Sequence, residues 1–136
     1  MLKDIIDSVI AKFNAHGLNS VYSAFDALPV ESKGNDIYSI VGVSEFESST
    51  PIYSLSYIYL PFKTQIEIKI TGSKNTSMAS LYNYFDTYIQ PVINDMADLN
   101  CSLKKISVKY DSNIQRLVLA INLSASGMSK FERGNL

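Results

Sequence analysis

The chain of 136 residues has no tryptophan, one cysteine and one histidine, and its charges nearly cancel at −1. Each shortage removes a class of explanation. A single cysteine, Cys101, excludes an intramolecular disulfide and fits a reducing compartment. A single histidine, His16, makes a histidine-based catalytic set hard to seat. Without a basic excess there is no sequence-wide surface for a phosphate backbone. Asp4 and Asp7 interrupt the first apolar residues, so no signal-peptide core is expected. No apolar run nears the roughly 20 residues that span a bilayer. Asn75-Thr76-Ser77 and Asn122-Leu123-Ser124 match the glycosylation pattern, by chance in a chain expected to carry no export signal.

What is present is an ordinary apolar fraction of 46% and nine tyrosines. The length predicts one domain that buries about two-thirds of its unfolded surface. Leu2, Ile5, Ile6, Val9, Ile10 and Phe13 recur at helical spacing, and Gly17 is a natural stop, which predicts a helix over 2–16. A second stripe runs from Met78 through Leu81, Tyr82, Phe85, Tyr88, Ile89, Val92, Ile93 and Met96 to Leu99. It predicts a helix over 77–99, capped by Asn75 or Ser77 and kinked at Pro91.

Between and after the helices the period changes to two. Val21–Phe25 is a short strand ended by Pro29, and "ESKGND" is turn chemistry. The segment 37–48 is a central strand, with Ile37, Ser39, Val41, Val43 and Glu45 on one face. From Phe62 to Ile70, apolar and polar residues alternate without a break. Residues 103–110 and 114–123 form a terminal hairpin about 111–113, with Ile106, Val108 and Tyr110 inward from one strand and Leu117, Leu119, Ile121 and Leu123 from the other. The predicted fold is α+β: a single, mostly antiparallel sheet packed against two helices, in the order α-β-β-β(β)-α-β-β. The domain spans 1–124. Residues 125–136 show no period and read as a flexible tail.

The stretch Leu55–Ile70 raises a question of size. Fully extended it reaches roughly 53 Å. A compact domain of this length is only about 35–40 Å across. The stretch must bend at Pro61, or overhang the domain and pair across a subunit boundary.

Candidate chemical groups are few. His16 ends a helix, where the dipole favours it. Cys101 follows a helix C-terminus, the unfavourable end for a thiolate, and reads as a small buried hydrophobe. Glu45 and Glu47 share a strand face with no third ligand in view, and read as a solvated edge. The loop 71–77, "TGSKNTS", has the position of an anion-binding turn without the phosphate-loop pattern, so it reads first as a capped turn. No catalytic residue, cofactor or metal is expected. Tyr57 and Tyr59 share a face, and Lys63, Gln65, Glu67 and Lys69 alternate in sign along the same strand. These six are the candidate oligomer interface or lumen. Met128 and Phe131, spaced like one helical turn, are candidate partner contacts in the tail.

The element order, with "VYSAFDALPV", "DIYSIVGVSEFESSTPIYS" and "PFKTQIEIKITGSKNTSMASLYNYFDTYIQPVI", resembles the tail terminator (tail completion) proteins of long-tailed bacteriophages and phage-derived contractile particles. The resemblance spans roughly 2–124. It implies a structural role: a homo-hexameric ring that caps the tail tube and meets the head–tail connector, with DNA only as passing cargo and no membrane. It also implies assembly in the host cytoplasm and a final place in the virion or particle. The rival reading is a small ligand- or peptide-binding module built around the loop 71–77.

Overall fold

The computed structural model describes residues 2–24, 37–96 and 100–135. In chain order it contains α1 (Leu2–Ala15), β1 (Val21–Ser23), β2 (Tyr38–Ser48), β3 (Ile52–Tyr53) and β4 (Tyr57–Thr71). The second helix follows in three parts: α2 (Met78–Tyr84), a π-helical segment (Phe85–Ile89) and α3 (Gln90–Asn94). Next come β5 (Cys101–Asp111), β6 (Arg116–Glu132) and a 3₁₀ turn (Arg133–Asn135). The expected Pro29 stop and the "ESKGND" turn lie outside the described residues, as do Phe25 and Leu99.

The fold is α+β with the helix first. One six-stranded sheet has the order β1-β2-β4-β6-β5, with β3 also paired to β4. Only β1 and β2 run parallel; the other pairs are antiparallel. The helices share a core with one face of this sheet. Ile66, Ile68 and Ile70 of β4 and Leu119, Ile121 and Leu123 of β6 supply its floor. Ile6, Val9 and Phe13 of α1 and Leu81, Phe85, Ile89 and Val92 of the second helix supply its roof. The alternation read from Phe62 to Ile70 is therefore the core face of β4.

Two helix ends follow from single residues. Gly17 takes a positive φ of 86°. The Leu18 N–H then reaches back to the Phe13 carbonyl at 3.0 Å, a left-handed cap that glycine adopts without Cβ strain. In the second helix, Pro91 has no N–H and would press on the carbonyl four residues back. The chain widens by one residue ahead of it, and the Gln90 N–H bonds the Phe85 carbonyl instead.

The expected tyrosine stripe is corrected. Tyr84 is 8% exposed, while Tyr82 and Tyr88 are 49% and 50% exposed. The extra residue carries Tyr88 out of the core, while Ile89 keeps its expected place there. The Tyr84 hydroxyl shares a 3.2 Å hydrogen bond with the Ser20 hydroxyl. The bulge between Val43 and Glu45 corrects a second expectation. It moves Glu45 off the Val43 face and brings Phe46 onto it.

A third correction concerns the C-terminal segment. Residues 125–132 are strand, the last half of β6, and pair with β4 from Thr64 back to Tyr57. The boundary expected at Ser124 falls instead after Glu132. The hairpin turn is likewise longer than expected. It spans 112–115, is held by the Asn113 N–H on Asp111 Oδ1 at 3.0 Å, and closes on Gln115 at φ 53°.

Candidate protein-docking surface

β4 and β6 pair through fifteen residues without a break, and Pro61 sits within the run opposite Met128. The Pro61 carbonyl accepts from the Ser49 N–H at 2.9 Å, toward the side where β2 ends. A residue's N–H and C=O point to the same side of an extended strand, so the missing N–H costs no bond to β6. The long segment does not break at Pro61. It overhangs.

Where it overhangs, the helices stop covering it. On the helix-side face of β4, Thr64, Ile66, Ile68 and Ile70 are buried, while Ile58, Leu60 and Phe62 are half-buried. On β6, burial ends at Ala125. The projecting ribbon carries its own small packing. Phe62 stacks on Phe46 with ring centres 5.3 Å apart. The Phe62 ring also lies over Gly127, where a Cβ would come within 2.8 Å of it. At the tip, Arg133 Nη1 donates to the Ser54 carbonyl at 2.8 Å, and Lys130 Nζ lies 3.9 Å above the Tyr57 ring. Around these contacts Ile52, Tyr53, Met128 and Phe131 are exposed, and Leu55 is 98% exposed.

The six candidate residues of β4 do share one face, the one away from the helices. Lys69 and Glu67 pair at 3.5 Å, and Gln65 points to Ser124. Met128 and Phe131 do not share a face. They oppose Pro61 and Ile58 in a strand, and three residues' separation in a strand reverses the side. Their expected helical relation is corrected by that pairing.

The sheet outreaches its cover a second time at β5. Ile106, Val108 and Tyr110 stand opposite Ile121, Leu119 and Leu117 on the helix-side face. They were expected inward, and their face is the expected one. Yet they are 41%, 37% and 60% exposed: β5 is the outermost strand of the described sheet, and only its start, at Cys101 and Leu103, packs on the core. The periodicity was the signal for this row; the missing cover had none.

The remaining groups are engaged locally. His16 Nε2 lies 2.9 Å from Asp95 Oδ2, linking the end of α1 to the end of α3. That hydrogen bond, with the charge of Lys12 second, lowers the Asp95 carboxyl pKa. Burial pushes the Cys101 thiol up, away from thiolate character. Cys101 lines an open groove of about 360 Å³ between Asp4, Ile5 and Ser8 of α1 and Phe62, Gly127 and Met128 of the ribbon. In the loop 71–77 the Gly72 carbonyl accepts from Arg116, and the Ser77 side chain accepts from the Ser80 N–H at 3.2 Å. That is a capped turn. No cluster of three potential metal ligands occurs among the described residues. No described helix is long and apolar enough to cross a membrane.

Comparison with known proteins corrects the expected family. No protein-family model matches the chain, and no curated protein matches it. Among solved structures it is similar to the core region of PilO from the type IV pilus system of Pseudomonas aeruginosa. The identity is 16%, over 65% of this chain and 79% of that one, with a TM-score of 0.28. A likeness at that score carries no argument about function. It is also not a likeness to a tail terminator. The reading as a tail terminator that caps a tail tube is not retained: no family model or curated protein supports it, and the solved structure found similar belongs to a pilus system.

Proposed function

We propose that this chain is a structural subunit that associates with copies of itself and performs no catalysis. One observation carries the reading: the sheet is larger than the helical layer that covers it. Apolar side chains are left open at the ribbon (Ile52, Tyr53, Leu55, Met128, Phe131) and along β5 (Ile106, Val108, Tyr110). Exposed apolar side chains gathered in two regions in this way mark interaction sites. Tyrosine, present three times in the ribbon and once in β5, is enriched at protein interfaces because its ring buries well while its hydroxyl tolerates the rim. The groups with chemical potential support the same reading. His16 pins two helix ends together, and Cys101 is held as a thiol.

Sedimentation velocity over a protein range of about 1–500 μM tests the reading. A mass above that of the 15.1 kDa monomer, rising with concentration, is the expected result. A monomer across the whole range overturns it.

A further inference from the structure

The two long edges of the sheet carry complementary side chains. β5 is the last strand on one side, with no neighbouring strand beyond it among the described residues. Its helix-side face holds Ile106 and Val108, and its other face holds Lys105 and Lys109. No acidic residue occurs from Cys101 to Tyr110. On the opposite side of the sheet, β1 covers β2 only at Ser39–Val41. The rest of β2, Val43–Ser48, has no outer partner strand among the described residues. Its helix-side face holds Val43 and Phe46, and its other face holds Glu45 and Glu47. Among the described residues, none of these four charges forms an ion pair.

We propose that β5 of one copy pairs, antiparallel, with Val43–Ser48 of a second copy, so that one sheet continues across the boundary. The proposal rests on the self-association reading above. Strand direction permits it. β2, β4, β6 and β5 alternate in direction, so a second copy set beside β5 in the same orientation presents an antiparallel β2 with its helices on the same side. β1 sets the register. It blocks Ser39–Val41, so the second copy must slide by about four residues, roughly 13 Å, to bring its free segment against β5. In that register Glu47 of the second copy opposes Lys105. Phe46 opposes Ile106, and Glu45 opposes Ser107 with Lys105 and Lys109 on its diagonals. Backbone pairing supplies the attachment, and the matched charges select the register. The contact joins two different surfaces of the chain, so it is head-to-tail and repeats from copy to copy.

Lysines on an exposed edge strand otherwise serve to prevent pairing, and the test separates the two roles. The variant Lys105→Glu/Lys109→Glu places four carboxylates at the boundary, and Glu45→Lys/Glu47→Lys places four ammonium groups there. Each alone should raise the concentration at half-association, read by sedimentation, about tenfold or more. An equimolar mixture of the two restores alternating complementary boundaries and should return association to the wild-type range, which misfolded chains could not do. Double variants that associate as tightly as wild type, or more tightly, overturn the pairing while leaving self-association standing. A mixture no better than its parts also overturns it. A wild-type chain that stays monomeric overturns both.

Discussion

The inner and outer halves of the β4–β6 pair follow one pairing rule in two different surroundings. Thr64–Thr71 against Val118–Ala125 lies under the helices; Tyr57–Lys63 against Ser126–Glu132 does not. The inner half gains stability from burial, along the helix-side face and also at Thr71, Val118 and Ala120 on the other. The outer half is held by backbone hydrogen bonds, the Phe46–Phe62 stack and the tip contacts of Arg133. A strand can thus be continuous while its stability is not, because apolar burial supplies most of what offsets chain entropy.

The sharpest way to break the comparison is to remove side-chain volume from each half. Ile68→Ala opens a cavity at a fully buried site and should cost about 2–4 kcal/mol in a denaturant titration. Leu55→Ser, at the exposed tip, should cost within about 0.5 kcal/mol in the dissociated chain. Equal losses would mean that the ribbon packs against the domain. Next in size is Gly127→Ala. Its Cβ would displace the Phe62 ring and should cost about 1–3 kcal/mol, unlike Gly134→Ala, whose Cβ meets nothing within 4 Å. A neutral Gly127→Ala would show that the outer half is loose enough to rearrange. Ser77→Ala removes the α2 cap and should cost about 1 kcal/mol by thermal melt.

The smallest expected effect is that of pH. The Asp95 carboxyl is held below its ordinary value of 3.8, chiefly by the His16 hydrogen bond. A carboxylate favoured by the fold stabilises it above the unfolded value, and that contribution is lost as pH falls through the lowered folded value. Asp95 is exposed, so the contribution is small. Melts of Asp95→Asn and wild type should differ slightly at pH 6 and converge toward pH 3. A gap that widens in acid would reverse the sign and remove the pair from the account.

Much of the inner half was legible in the sequence. Ile66, Ile68 and Ile70, and the α1 stripe of Ile6, Val9 and Phe13, announce a buried face through their period, because burial selects for it. The outer half was not legible from β6. From Ser126 to Glu132 neither face is buried, so no alternation is selected, and the strand exists because a distant segment pairs with it. The single-residue insertions at Ser44 and Lys104 and the π-segment ahead of Pro91 were also silent. Each shifts the facing of everything beyond it, yet none carries a compositional mark. For the docking surface, the residues on the uncovered faces were legible and the lack of cover was not. Tyr57 and Tyr59 were expected on one face and lie there. Ile106, Val108 and Tyr110 read as core, because a period reports which face a residue occupies and not whether anything packs on it.

Amide hydrogen exchange at low and high protein concentration tests the central claim, that the uncovered part of the sheet is where copies meet. The account predicts that exchange slows with concentration in 101–111 and 43–48, while the amides of Thr64–Thr71, already protected, stay unchanged. Exchange in both edge segments that is the same at every concentration, in a chain that sediments as a monomer, would contradict it.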